Sequence, residues 1–262
     1  MESLISAVIP SRNDPYLQKT IDSLKENATG NIEVVAVIDG EGDTPNADVV
    51  VRNDTPKGMR YCINAGVEAS HGKYILKSDS HCKFAKGWDE ALLSDIDDDW
   101  VVTPMRYRLD VDTWDISKDE PDPIIYERLV IDRPDKIGGV RWHRKGREGY
   151  QVDENMVFQG SCWLMSRKHW EWLGGLSEEG YGTFTQEPVE IALKTWLGGG
   201  KVVVNKKTWY AHKHRKYKRT YASRQLSEEN EKGNKFSQDY WLNNRWEARV
   251  HDLSWLMERF GL

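Results

Sequence analysis

The sequence predicts an α/β fold with a mostly parallel central sheet, and its 262 residues fit one domain better than two. Between residues 4 and 77, short apolar runs alternate with segments whose apolar residues recur at helical spacing. The apolar runs are continuous, which is typical of strands that are covered on both faces. Strands and helices that alternate at these lengths form parallel strands joined by right-handed crossovers. Ligands of such folds bind at the carboxyl ends of the strands.

The first strand and helix are predicted from the opening residues. Residues 4–9 form an apolar run, which indicates a buried strand. Asp14 offers an N-cap oxygen, and Pro15 suits the first position of a helix. Apolar residues then recur at helical spacing, so we expect a helix over residues 15–27 that Gly30 ends.

The later elements are predicted from the same two periods. Further strands are expected at residues 32–38, 47–51, 73–77, 100–105 and 201–204, and further helices at residues 58–70, 88–96, 167–173 and 188–197. Residues 106–157 are rich in charge, proline and glycine without a sustained period, so a long irregular functional segment is expected there. The polar residues 216–262 are expected to form a helical C-terminal extension.

Charge is unevenly distributed along the chain. The net charge of −5 argues against a protein that binds polyanions over its whole surface, yet residues 201–224 are rich in Lys and Arg. Such a run is either a solvated face or a site for phosphate groups. The three cysteines have no paired spacing, and no leader or membrane span is recognised in the sequence. We therefore expect a reduced, cytoplasmic protein without a membrane span.

The clearest local chemical signal is Asp79-Ser80-His81, directly after the strand predicted at residues 73–77. In an extended backbone, side chains two residues apart point the same way, so this carboxylate and imidazole can share a cation. Such a triplet also occurs by chance. Its position at the expected ligand-binding edge of the sheet is what favours a metal site.

Longer segments resemble a known family. They read VRNDTPKGMRYCINAGVEASHGKYILKSDSHCKFAKGWDEALL, GSCWLMSRKHWEWLGGLSEEGYGTFTQEPVEIALKTWLGGGKVVV and YAHKHR. Together they resemble GT-A-fold glycosyltransferases of the family 2 type, in particular the catalytic domain of polypeptide N-acetylgalactosaminyltransferases, which has the same Asp-Ser-His-Cys run. The resemblance implies a GT-A domain over residues 1–215, with a donor half at about 1–105 and an acceptor half at about 106–215.

The resemblance also implies roles for individual residues. The metal ion would be bound by Asp79, His81 and His212. The nucleotide of a UDP-sugar donor would lie against the segment that contains Pro10, Arg12 and Asp14, and against Asp39 and Arg60. The acceptor side, with the catalytic carboxylates, would contain Glu187 and Glu190.

The chemistry of these residue types agrees with the implied roles. A departing diphosphate gains negative charge, which a divalent cation and basic side chains stabilise. One carboxylate and two imidazoles favour Mn²⁺ over Mg²⁺, which prefers oxygen ligands and water. Lys213 and Arg215 lie beside His212 in the sequence, so they can close over the phosphates of a bound donor.

Several of these residues have a structural alternative. His212 is also compatible with an ordinary surface histidine, and Asp39-Gly40 with a simple turn. Glu187, directly before Pro188, would stabilise the positive end of a helix dipole, or would serve as the general base of an inverting enzyme. The family resemblance instead suggests retention, so the stereochemistry stays open.

No motif identifies the acceptor. Residues 141–147 and 217–224 interleave cations with aromatic side chains, a pattern that can hold phosphates and stack bases. One hypothesis is therefore a DNA glycosyltransferase that acts on a hydroxymethylated base of viral DNA, and the others are protein Ser/Thr, glycan or lipid acceptors. Thr185-Gln186-Glu187-Pro188 replaces the family's Gly-Gly-Glu-Asn, so the transferred sugar need not be N-acetylgalactosamine.

Two functions of other classes are weaker. A nucleotidyltransferase would have a glycine-rich phosphate loop after the first strand, and PSRNDP is not one. A sugar-nucleotide-binding module without turnover would not need to keep all three predicted metal ligands. The favoured hypothesis is metal-dependent transfer of a sugar from a UDP-sugar to a hydroxyl acceptor, in the cytoplasm of a bacterial or virus-infected cell.

Overall fold

A large mixed sheet lies at the centre of the structure, a computed structural model that describes residues 5–214 and 224–262. Strands and helices alternate through its first half, as the two sequence periods predict. In chain order the elements are β1 (Ile5–Ser11), α1 (Leu17–Asn27), β2 (Ile32–Asp39), β3 (Val49–Asn53), α2 (Met59–Glu68), β4 (Tyr74–Ser78), β5 (Cys82–Phe84), α3 (Trp88–Leu93), β6 (Trp100–Asp110), β7 (Asp115–Ile116), β8 (Tyr126–Val130), β9 (Gly138–Trp142), β10 (Val152–Glu154), β11 (Cys162–Ser166), α4 (Arg167–Leu173), α5 (Glu187–Leu197), β12 (Lys201–His212), α6 (Arg224–Leu242) and α7 (Leu253–Arg259).

The order of strands in the main sheet is β10-β12-β6-β11-β4-β1-β2-β3. The four strands from β4 to β3 are parallel to their neighbours, and β12 is parallel to β6. One antiparallel strand, β11, lies between β6 and β4. The α/β class, the mostly parallel centre and the helical C-terminal extension are thus confirmed.

Both faces of the sheet are covered, which explains why its strands read as continuous apolar runs. In β2, Val35 and Val37 pack with residues of α2 and α5, whereas Val34 and Ala36 pack on the other face with residues of α1 and α3. All four side chains have no exposed surface. Burying a valine side chain contributes about 1.5–3 kcal/mol, so the strands are fixed on both sides.

The expectation of an irregular segment at residues 106–157 was wrong. β6 continues to Asp110, where it pairs with β7. β8 and β9 form a separate, small antiparallel sheet, and β10 joins the main sheet beside β12. These strands escape the sequence pattern because they are short and mostly half-exposed. In β9, for example, two of the five residues are glycines, which bury no side chain.

β12 is much longer than the strand expected at residues 201–204. The register against β6 shifts between Asn205 and Trp209, so an irregularity interrupts the apolar pattern while the strand continues to His212. The extension pairs antiparallel with β5, and His212 lies opposite Cys82. This pairing brings the end of β12 beside the Asp79-Ser80-His81 triplet.

Two further expectations concern the cysteines and the membrane. Cys62, Cys82 and Cys162 are buried free thiols, as predicted. Among the residues that the structure describes, no helix has both the length and the apolar character that crossing a bilayer requires.

Candidate active site

A cleft of about 960 Å³ lies at the carboxyl ends of β1, β2 and β4. Parallel strands direct these ends to one edge of the sheet, so residues from distant parts of the chain meet there. The predicted site residues in its lining are Pro10, Arg12, Asp14, Asp39, Asp79, His81, Glu187, His212 and Lys213.

Asp79, His81 and His212 converge within this cleft. Each offers one ligand atom, and the three atoms lie within 4.8 Å of one another. Asp79 directly follows β4, and its backbone N–H donates to the Ser161 carbonyl at 2.8 Å. The backbone N–H of Lys213 donates to the His81 carbonyl at 3.1 Å, which ties the end of β12 to the triplet.

His81 is held in one orientation by a carboxylate behind it. Its Nδ1 atom lies 2.8 Å from Asp14 Oδ2, and Asp14 Oδ1 also accepts from the Tyr16 backbone N–H at 2.9 Å. Burial raises the pKa of Asp14, but its hydrogen bonds, first of all the one with His81, outweigh burial and lower it. With Asp14 ionised, the His81 proton belongs on Nδ1, and the Nε2 lone pair is left for a metal ion.

His212 is buried, and neither of its ring nitrogens has a hydrogen-bond partner among the described residues. Its Nε2 atom lies 3.2 Å from Asp79 Oδ2. Burial lowers the pKa of His212 to about 4 despite the opposing effect of Asp79, so the ring is neutral at physiological pH. An unpaired buried polar atom costs about 1–3 kcal/mol, and a metal ion would satisfy it. One carboxylate and two neutral imidazoles therefore fit a divalent transition metal.

Asp79 is ionised because a buried lysine contacts it. Lys77 Nζ lies 2.6 Å from Asp79 Oδ1 and 3.6 Å from Glu187 Oε2, and it also donates to the Gly160 carbonyl. Burial raises the pKa of Asp79, but the charge of Lys77 outweighs burial and holds it well below its ordinary value. Our sequence analysis missed Lys77. A lysine inside the apolar run YILKS was the available signal, because lysine is rarely buried without a partner.

Glu187 is the first residue of α5 and lines the cleft. Its Oε1 atom accepts from Trp163 Nε1 at 2.5 Å, and its Oε2 atom has no hydrogen-bond partner among the described residues. Burial raises the pKa of Glu187, although the charge of Lys77 opposes the shift. The carboxyl group is thus held by Trp163 on one side and lies beside the Lys77 ammonium on the other.

Asp39 lies at the end of β2, but its carboxylate is already fully engaged. Oδ1 accepts from Asn53 Nδ2 at 3.0 Å and from the Lys57 backbone N–H at 2.7 Å. Oδ2 accepts from the Gly58 backbone N–H at 3.0 Å and from Arg12 Nη2 at 2.7 Å. A carboxylate has about four acceptor positions, so a ribose or base would have to displace one of these donors. These contacts order the cleft wall around Asp39, and its contact with the nucleotide stays a prediction.

Arg60 and Glu190 pair with each other and are not part of the cleft lining. Arg60 has no exposed surface and also donates to the carbonyls of Ser177 and Thr185 at 2.7 Å each. Glu190 additionally contacts Lys194 Nζ at 2.8 Å. Both groups thus have partners inside the protein. The nucleotide and acceptor contacts that the resemblance implies for them stay predictions.

Among the predicted basic residues, Lys213 and the 141–147 segment belong to the described part of the chain, whereas Arg215 does not. Lys213 lines the cleft, with its Nζ atom 4.2 Å from the centroid of the Tyr16 ring. Arg215 and the other predicted basic and aromatic residues up to 224 lie outside the described side chains. Within the 141–147 segment, Arg144 donates to the Glu154 carbonyl, and Arg147 forms an ion pair with Asp153.

One wall of the cleft comes from α6, which the sequence analysis treated only as a helical tail. Its contributions to the lining are Leu226, Glu229, Asn230 and Asn234. No motif in the sequence marks these residues, because their role depends on how the helix docks.

Comparison with known proteins shows that this chain is similar to glycosyltransferases. A family model described as glycosyl transferase family 2 matches residues 6–173. Polypeptide N-acetylgalactosaminyltransferase 3 of Mus musculus is 26% identical over 162 residues, which cover 59% of this chain and 25% of the relative. Polypeptide N-acetylgalactosaminyltransferase 8 of Drosophila melanogaster is 24% identical over 229 residues, which cover 78% of this chain and 37% of the relative. The chain thus spans well under half the length of these relatives.

Two solved structures share the fold. GalNAc-T7 with UDP, GalNAc and Mn²⁺ superposes with a TM-score of 0.63 at 20% identity, over 82% of this chain and 44% of that chain. Residues 1–349 of S. aureus TarS in complex with UDP-GlcNAc superpose with a TM-score of 0.57 at 14% identity, over 85% of this chain and 61% of that chain. At these identities the likeness establishes the GT-A fold.

Proposed function

The chain belongs to glycosyl transferase family 2, and from that premise we propose that it transfers a sugar from a UDP-sugar to a hydroxyl acceptor with the help of Mn²⁺ or another divalent cation. The observation that carries this proposal is the convergence of one carboxylate and two imidazoles, from Asp79, His81 and His212, in a large cleft. The two structural neighbours contain UDP or UDP-GlcNAc, and one also contains Mn²⁺, which supports the same donor class here.

The residues around the cluster have complementary tasks. When bound, the cation would neutralise the diphosphate as the bond to the sugar breaks. Asp14 orients His81, and Lys77 holds Asp79 Oδ1, so that Oδ2 faces His212. Lys213 offers an ammonium group at the cleft for the phosphate oxygens.

Glu187 is our proposed acid–base residue. Glu187 lines the cleft, and its Oε2 atom accepts no hydrogen bond from the described residues. Burial raises its pKa toward the range in which proton transfer is efficient. A DNA base as the acceptor gains no specific support from the described residues, because Arg144 and Arg147 of the 141–147 segment have partners within the protein.

Release of UDP from a panel of donors tests the proposal. The protein is incubated with UDP-GlcNAc, UDP-GalNAc, UDP-glucose or UDP-galactose and Mn²⁺, with and without a chelator, and with GDP-mannose as a control donor. We expect UDP release from at least one UDP-sugar, its loss on chelation and its recovery on adding excess Mn²⁺. Release that is unaffected by chelation would refute the metal-dependent mechanism. Tight UDP binding without turnover on hydroxyl acceptors would instead favour a binding module.

A further inference from the structure

The helix α6 lies outside residues 6–173, the part of the chain that matches the family model, yet it contributes part of the cleft wall. It packs against residues 181–186, which include the start of the stretch at residues 185–188 that departs from the family's Gly-Gly-Glu-Asn pattern. The contact is close, because a Cβ atom on Gly233 would lie only 2.3 Å from the Tyr181 carbonyl oxygen. A wall formed by a helix outside the matched range and by a divergent segment can differ from that of relatives in the sugar it admits.

Three hydrogen bonds, made at two places on α6, fix the helix against this segment: one at Glu229, and two at Asn234 and Ser237. The Thr183 backbone N–H donates to Glu229 Oε1 at 2.6 Å, and Gln186 Nε2 donates to Asn234 Oδ1 at 2.8 Å. Gln186 Oε1 in turn accepts from Ser237 Oγ at 3.3 Å. The helix face that lines the cleft is therefore held in place.

Asn230 lies on this face, between these two places. It lines the cleft one helical turn before Asn234. Its Oδ1 atom is buried and has no hydrogen-bond partner among the described residues. A buried amide oxygen without a donor is costly, and the groups that would satisfy it here are the N–H or O–H donors of a molecule in the cleft.

We propose that Asn230 Oδ1 accepts a hydrogen bond from a hydroxyl group of the donor's sugar ring, which makes α6 part of the sugar-selecting wall. This inference rests on the proposed function, because it requires a UDP-sugar in the cleft. Hydroxyl groups of carbohydrate are the chemistry that a neutral amide oxygen recognises, whereas a phosphate offers it no donor.

Calorimetry with Mn²⁺·UDP and Mn²⁺·UDP-sugar tests this assignment on the whole chain. Asn230→Leu removes the oxygen at nearly constant shape, and Glu231→Ala, at the neighbouring exposed position of the same helix, is the control. We expect Asn230→Leu to weaken the UDP-sugar complex about three- to tenfold, the value of one neutral hydrogen bond. Its affinity for Mn²⁺·UDP and its melting temperature without ligand should not fall, since the unpaired oxygen is gone.

Other results overturn the assignment and separate it from the proposed function. Equal losses of UDP and UDP-sugar affinity with a lower melting temperature would show a merely structural residue. Unchanged UDP-sugar affinity with impaired transfer would show that Asn230 contacts the acceptor. If the wild-type protein binds neither ligand, the proposed function itself fails, whereas normal wild-type binding with an unaffected variant refutes only the role of Asn230.

Discussion

Replacing Arg60 with methionine distinguishes a residue that stabilises the fold from one that binds the nucleotide. Arg60 is fully buried and supplies hydrogen bonds to Ser177 and Thr185 as well as the ion pair with Glu190. Removing one partner of a buried pair costs about 3–5 kcal/mol. Because Lys194 remains 2.8 Å from Glu190, we expect a loss near the lower limit, about 3 kcal/mol. In a domain of this size this corresponds to a decrease of roughly 6–12 °C in melting temperature.

The assay combines urea and thermal unfolding with calorimetry of Mn²⁺·UDP at a temperature where the variant is folded. We expect Arg60→Met to be less stable and to bind UDP like the wild type. The double variant Arg60→Met/Glu190→Leu should not regain stability, because Lys194 and the Ser177 backbone N–H then lose their carboxylate partner. If Arg60→Met does not fold, Glu190→Gln gives a milder test of the same pair. Unchanged stability together with lost UDP affinity would refute the structural role and restore the nucleotide contact.

Three further predictions concern the metal site, pH and the backbone. Asp14→Asn should lower the affinity for Mn²⁺ in the presence of UDP about 10–100-fold, because His81 loses its orienting carboxylate, and calorimetry that finds no change would contradict this. His169 is buried, which lowers its pKa to about 4, so the unfolded chain takes up a proton below about pH 6.5 that the folded protein does not accept. The contribution of His169 to the free energy of unfolding is complete above pH 6.5 and declines by about 3 kcal/mol as the pH falls to 4. In urea unfolding measured across this pH range, His169→Gln should show a smaller decline than the wild type. Parallel declines in the two proteins would contradict this prediction. Gly58 has a φ of 96°, and a Cβ atom there would lie 2.4 Å from the Cβ atom of Thr183, so Gly58→Ala should lower the melting temperature. Gly149→Ala is the control and should leave the melting temperature unchanged, because a Cβ atom on Gly149 would meet no atom within 4 Å.

Much of the fold was predictable because its strands are buried on both faces. The continuous apolar runs before Pro10, Asp39 and Asp79 locate β1, β2 and β4 to within two residues at each end. Once these strands are parallel, the residues that follow them must meet at one edge. That geometry, together with the Asp-x-His spacing, predicts two of the three candidate metal ligands from local sequence.

The rest of the site depends on long-range pairing that local sequence does not encode. His212 reaches the cleft only because β12 continues past its irregularity and pairs with β5, and family resemblance rather than periodicity indicated it. The ion pair between Arg60 and Glu190 was not predictable either, because sequence spacing does not show that these two residues meet. Asn230 gave no signal, since an asparagine on a polar helix is ordinary until the helix docks on a cleft.

Binding of Mn²⁺ in the presence of UDP, measured by calorimetry, tests the central claim most directly. We expect one Mn²⁺ per chain in the wild type, and loss of that binding in Asp79→Asn, His81→Ala and His212→Ala, each still folded by circular dichroism. His143→Ala, which changes an exposed histidine outside the cleft lining, should bind like the wild type. Wild-type Mn²⁺ affinity in any of the three folded cluster variants would contradict the account.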